Sequence, residues 1–191
     1  MLALTAWGQA GEKPVLVVET LASVTEPSFT EPLDASWSVA HGTWTPEKGE
    51  LKAVEVPADK HVAVLHHNVA LPTAVFECEF LSEGPFAFYI GCDGTNGHIG
   101  RAVVNGNGMV IAEDSVKPSH VLAKLERKVK PGDWHSLRVE WRGSEMAARL
   151  DGKELTASHP FLEKAKSRSW LAVSGTVLVR RLLVRGAAGQ P

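Results

Sequence analysis

The sequence predicts an all-β protein folded as a two-sheet antiparallel sandwich, and three observations carry that expectation. Leu137, Val139 and Trp141 alternate with Ser136, Arg138, Glu140 and Arg142, the period-two pattern of a strand with one dry and one wet face. With Gly143 and Ser144 as a two-residue loop, the glycine supplying the positive φ of a type II′ turn, Trp141 falls near Met146, Val139 near Ala148 and Leu137 near Leu150. Every apolar residue then meets an apolar partner, and Asp151-Gly152 provides the next reversal. Turn signals recur about every ten residues along the chain, which suits a sandwich and leaves no room for βαβ units.

The elements follow in order. Val15 to Val18 reads as an edge strand, and Thr25 to Pro32 as a Pro- and Thr-rich surface connection. Trp37 with Val39, then Thr43 with Trp44, start the sandwich, and Glu47 to Glu50 turns the chain into Leu51 to Val56. Further strands are expected at Val62 to His66, Ala74 to Leu81, Phe86 to Gly91, Ile99 to Val104, Met109 to Ala112, Trp170 to Val173 and Val177 to Val184. One short peripheral helix is expected between Ser119 and Val129, where Leu122, Leu125 and Val129 recur at helical spacing behind a Ser119 N-cap. Trp37, Trp44, Trp141 and Trp170 keep phase with apolar neighbours and are assigned to the core, whereas Trp134 starts a strand.

At 191 residues the chain suits one domain with one sizeable core. The expected division is 15–186 as the sandwich, 1–14 as the remnant of an export signal or a disordered arm, and 187–191 as a flexible tail. In MLALTAWGQA an apolar run ends in small residues suited to cleavage after Ala10, which predicts an exported protein, periplasmic or extracellular. No apolar run approaches the ~20 residues of a membrane span. A net charge of −2 and a pI near 6.4 give no field to attract nucleic acid, and the basic stretch KLERKVK is interrupted by Glu126 and apolar residues.

The two cysteines, Cys78 and Cys92, face each other if Glu83 to Phe86 joins two paired strands. The alternatives are a cross-strand disulfide and two buried free thiols. His66 and His67 are adjacent and face opposite sides of their strand, so they do not share a metal. Without HExxH or CxxC, no zinc site is expected. CDGTNGH superficially suggests a calcium loop but lacks spaced acidic ligands, and a Gly-rich hairpin turn is the simpler reading. No GxSxG elbow or phosphate-cradling loop occurs, and no cofactor or metal is expected.

The strand VFECEF buries Phe76, Cys78 and Phe80 and turns Glu77 and Glu79 together to the other face. Residues two apart on a strand lie roughly 6.5–7 Å apart, which overlaps the carboxylate spacing of inverting glycosidases. If the next strand pairs with this one, Tyr89 points the same way, and Asp93, Asn96, His98 and Arg101 complete a polar patch of sugar size. The bland alternative for the two glutamates is an ordinary solvated strand face.

The segments WSVAHGTWTPEKGELKA, PGDWHSLRVEWRGSEMAARLDGKEL and GTVLVRRLLVRG together resemble the concanavalin A-like lectin and glucanase superfamily. The order of features is similar to the 3-keto-disaccharide hydrolases and to laminin G-like modules, from about Phe29 to Arg185. The resemblance implies a jelly-roll sandwich with a concave sheet face used for oligosaccharides or polysaccharides. It carries over no catalytic residue, because YIGCDGTNGHIGRAVV lacks both the Asn-Ser-Gly stretch and the Tyr-Glu-Xaa-Gln strand of the hydrolases. The segment from Glu77 to Glu83 likewise departs from the Glu-Xaa-Asp-Xaa-Xaa-Glu strand of glucanases. The expected function is glycan binding through Tyr89, Asp93, Asn96, His98 and Arg101. The alternatives are a glycoside hydrolase using Glu77 or Glu79 as acid or base, and a non-catalytic adhesion module. The sequence does not fix an oligomeric state.

Overall fold

The structure is a computed structural model, and it describes residues 15–17 and 21–187. In chain order the strands are β1 (Ser23–Thr25), β2 (Trp37–His41), β3 (Thr43–Glu47), β4 (Glu50–Val54), β5 (Ala63–His67), β6 (Thr73–Ser82), β7 (Ala87–Gly94) and β8 (Gly97–Asn105). They continue as β9 (Gly108–Glu113), β10 (His120–Glu126), β11 (His135–Arg142), β12 (Glu145–Leu150), β13 (Lys153–Ser158), β14 (Arg168–Ser174) and β15 (Thr176–Ala187). Two single 3-10 turns, Pro57–Asp59 and Pro160–Glu163, are the helical segments among the described residues.

The strands form two antiparallel sheets. The first runs β13-β12-β11-β6-β15-β4-β3, with β1 on the C-terminal half of β15; the second runs β10-β9-β8-β7-β14-β5-β2. Between them lies one apolar cluster, with Phe76, Phe80, Val139 and Trp141 from the first sheet meeting Phe88, Ile90, Leu171 and Val173 from the second. Burying this alternating set is what favours two stacked layers over one open sheet. The expected sandwich is present.

The central hairpin keeps the register read from its sequence: Trp141 pairs with Met146, Val139 with Ala148 and Leu137 with Leu150. Gly143 turns at φ +54°, and Asp151 and Gly152 both hold positive φ, as a type I′ turn requires. Trp141 packs on Phe76 with ring centroids 5.1 Å apart and donates its indole N–H to the Leu71 carbonyl at 2.9 Å, so its one polar atom is satisfied inside the core.

Three expectations are corrected. The segment from Ser119 to Val129 is not a helix: His120 to Glu126 is β10, an edge strand on β9. The ladder passes from Val121↔Ala112 to Ala123↔Ile111, leaving Leu122 as an extra residue. A bulge of this kind shifts the strand's phase by one, so Leu122 and Leu125 both pack on the core at a spacing that imitates a helix.

Glu83 to Phe86 does not close a hairpin. It carries the chain from β6 in the first sheet to β7 in the second, so Cys78 pairs with Leu137 and Cys92 with Gly100 and Ser169. Cys78 and Cys92 are both free and buried, the second of the two alternatives.

Val15 to Val17 form no strand; they run as a bend over the outside of the first sheet, and Val18 lies outside the described residues. The expected signal or arm at 1–14 also lies outside them, as do residues 188–191 of the expected tail, while β15 extends through Ala187.

Candidate functional site

Placing β6 and β7 in different sheets divides the residues singled out from the sequence into two groups. Glu77 and Glu79 stand on the outer face of the first sheet, where arginines from the flanking strands take them up. Glu77 accepts from Arg138 at 2.6 Å and from Arg185, and Glu79 accepts from Arg180 at 2.5 Å and Arg181 at 2.7 Å. The double contact on Glu79 arises from a bulge in β15 between Arg180 and Leu183, with Arg181 at φ +53°, which turns two consecutive arginines to one carboxylate.

The same face is covered further along. Glu140, placed by its alternation on the wet side, has no exposed surface, because the backbone N–H groups of Val15, Leu16 and Val17 donate to its carboxylate at 3.2, 2.9 and 2.7 Å. Burial alone would raise the Glu140 pKa. These donors, with Arg138, outweigh that effect and hold it below the usual glutamate value. The outer side of the first sheet is therefore a lattice of ion pairs under an N-terminal strap.

The second group stands on the outer face of the second sheet, in three neighbouring rows across β8, β7, β14 and β5. One row is His98, Asp93 and Arg168; the next is Arg101, Gly91, Trp170 and His66; the third is Val103, Tyr89, Ala172 and Val64. Trp170, assigned by sequence to the core, is indeed buried at 4 % exposure, but in a small separate cluster with Val64 and Ala172, against which Tyr89 packs. Its neighbours Leu171 and Val173 face the main core, so the alternation in RSWLAV already pointed Trp170 outward.

Asp93 is the hinge of this face. It is 2 % exposed, accepts from His98 Nδ1 at 2.6 Å and Trp170 Nε1 at 2.7 Å on one oxygen, and accepts from Arg168 Nε at 2.9 Å on the other. Burial pushes its pKa up, but the donors from His98, Arg168 and Trp170 more than compensate and hold the carboxyl below its ordinary value. His66 is shifted downward, first by burial and then by the Arg168 charge.

Beside Asp93 opens a pocket of about 490 Å³. Its walls are the β7–β8 turn with Asn96 and His98, then Asp114 and Lys117 after β9, and Phe161, Lys164 and Arg168 from the segment around the second 3-10 turn. Arg101 stands just behind the wall. It pairs with Asp114 at 3.0 Å and donates to Ser119, which itself donates to Asp114 at 2.7 Å. The other Asp114 oxygen, Oδ2, is buried with no hydrogen-bond partner among the described residues. Tyr89 is outside the pocket, four residues from Asp93 and so about 13 Å along the strand.

The structure thus brings Asp93, Asn96 and His98 together, sets Arg101 beside them and Tyr89 further along the same face, and puts Glu77 and Glu79 on the opposite sheet. Sequence reasoning missed Asp114, Lys117, Phe161, Lys164 and Arg168. They come from segments remote in sequence, and none carries a motif that would have singled it out.

No family model matches this chain, and no curated protein matches it in sequence. Solved structures do match in fold. A carbohydrate-binding module, CBM66 from Bacillus subtilis, superposes with a TM-score of 0.63 at 12% identity, covering 79% of this chain and 96% of that one. A Bacillus subtilis protein of unknown function with a galectin-like fold gives 0.66 at 8% identity, with 88% and 98% covered. The alginate lyase AlgAT5 of polysaccharide lyase family 7 gives 0.54 at 12%, with 75% and 82% covered. At such identities the likeness is one of fold, and the fold is the concanavalin A-like jelly-roll sandwich that the sequence resemblance implied.

Proposed function

We propose that this chain is a glycan-binding domain whose contact site is the pocket beside Asp93, continued by the outer face of the second sheet towards Tyr89. The observation that carries this reading is the pocket itself, about 490 Å³ with Asn96, Asp114, Lys117 and Lys164 in its walls beside Phe161. Sugar hydroxyls both donate and accept, so they can pair with the carboxylate, amide and ammonium groups of such a wall alike. Asn96 and Lys117 offer further hydrogen bonds, and the Lys164 ammonium lies over the ring of Phe161 in the same wall, 4.0 Å from its centroid. His98 and Arg168 hold Asp93 in place, so the polar array needs little reordering when a ligand arrives. Carbohydrate-active proteins among the fold neighbours support the same reading.

Hydrolysis has weaker support. Glu77 and Glu79 are each engaged by two arginines on the sheet opposite the pocket, and Asp93, with its pKa held low, is a poor proton donor at neutral pH. Export is part of the proposed reading and rests on Gly8 and Ala10, the small residues at the −3 and −1 positions of a cleavage after Ala10. N-terminal sequencing of the protein secreted by its own host would detect cleavage there.

A glycan array followed by calorimetry tests the proposal. Binding is expected to weaken at least tenfold in Asp114→Ala and His98→Ala and to persist in Glu77→Gln. Absence of binding to any glycan, or binding indifferent to both pocket variants, overturns it.

A further inference from the structure

We infer that Glu113, His120 and His159 form a site for a divalent transition-metal ion of the zinc class, where the edges of the two sheets meet. Glu113 ends β9, and His120 starts β10 directly opposite it in the ladder. His159 follows β13 of the other sheet and caps the 3-10 turn Pro160–Glu163. One ligand atom from each of the three side chains lies within 4.8 Å of the others.

The geometry is close to what such an ion requires. Zinc bound to nitrogen and carboxylate oxygen at about 2.0–2.2 Å in a tetrahedral arrangement sets its ligands roughly 3.3–3.5 Å apart. His120 Nδ1 is 3.3 Å from Glu113 Oε1, already at the ligand spacing, and His159 Nδ1 is 4.0 Å from Oε2, so His159 must close in on an ion to complete the set. The two imidazoles stand at 90° with centroids 5.9 Å apart, and lone pairs from perpendicular rings can converge on one point.

The carboxylate is prepared for the role. Glu113 is 1 % exposed, and Ser115 fixes both of its oxygens, donating from its backbone N–H at 2.6 Å and its hydroxyl at 2.8 Å. Outer partners of this kind orient a metal ligand before the metal arrives. His159 Nδ1 accepts the Phe161 N–H at 3.3 Å as cap of the 3-10 turn, a long hydrogen bond that an ion taking the same lone pair would replace. Both histidines reach solvent, which gives an ion an entry path. Two imidazoles and one carboxylate suit zinc, nickel or copper better than calcium or magnesium, and three protein ligands leave a fourth position open. The sequence showed none of this because the ligands come from three separate segments and match no spaced motif.

The test uses the intact chain after dialysis against a chelator, with Zn²⁺ and Co²⁺ as probes. Zinc is expected to bind with one ion per chain in calorimetry and to raise the melting temperature. Cobalt is expected to give the intense visible bands of a tetrahedral site. His120→Ala and His159→Ala should each weaken zinc binding at least tenfold, and the double variant should abolish the cobalt bands. Because Glu113 is buried and its replacement risks the fold, the histidine variants decide. No saturable zinc binding, or binding that survives in the double variant through His41, His61 or His66, overturns the assignment.

Discussion

The indole of Trp170 lies against Gly91 of the neighbouring strand and donates its N–H to Asp93 at 2.7 Å. A Cβ added at Gly91 would stand 2.5 Å from Cζ2 of that ring, so the glycine is the space that lets Trp170 lie down on the sheet and reach Asp93. Gly91→Ala is expected to lift the ring and destabilise the fold by about 1–3 kcal/mol, the usual range for overpacking. Urea unfolding measures the loss. The same variant should weaken glycan binding, since Asp93 loses a donor that fixes it.

Acid should weaken the fold through two carboxyls. Asp93 and Glu140 both have pKa values lowered by the fold, so each contributes stability that is fully present above its unfolded value, about 4, and is lost as pH falls through its folded value. Stability from neutrality down to about pH 5 should be flat in these two groups and should decline below about pH 4. Asp93→Asn is expected to be less stable at neutral pH and to lose less on further acidification; urea midpoints across pH give both slopes.

The thiols should be silent in the folded protein. Burial pushes the Cys92 thiol up to about 12 and the Cys78 thiol higher still, so neither forms appreciable thiolate at neutral pH. A colourimetric thiol reagent should label neither in buffer and both in denaturant, with no reductant needed. Labelling of fewer than two in denaturant without reductant would reveal a disulfide.

Removing one carboxylate from the arginine lattice should cost stability and leave recognition intact. Glu77→Gln leaves Arg138 and Arg185 facing a neutral amide, and Glu79→Gln does the same to Arg180 and Arg181. Each is expected to lower stability by roughly 1–3 kcal/mol, less than a fully buried pair because the arginines retain some solvent. Saccharide binding should be unchanged, and a loss there would move the site to the first sheet.

The sequence by itself determined the sandwich class and the central hairpin down to its register, from Leu137↔Leu150 to Trp141↔Met146. That information is local, since alternation sets the buried face and two turn residues set the pairing. It also grouped Asp93, Asn96 and His98, which share one turn and its flanks and line one pocket. Only the tertiary structure decided which sheet each strand joins. Glu83–Phe86 has turn chemistry whether it folds a strand back on itself or carries it to the other layer, and the crossing separated Glu77 and Glu79 from the pocket and Cys78 from Cys92. The bulge at Leu122, the covering of Glu140 by Val15–Val17 and the pocket wall of Asp114, Phe161 and Arg168 are likewise set by partners tens of residues away. Hydrophobic period tells a strand which side to bury, while the ladder hydrogen bonds that choose its neighbours are nearly the same for every strand, so packing makes that choice.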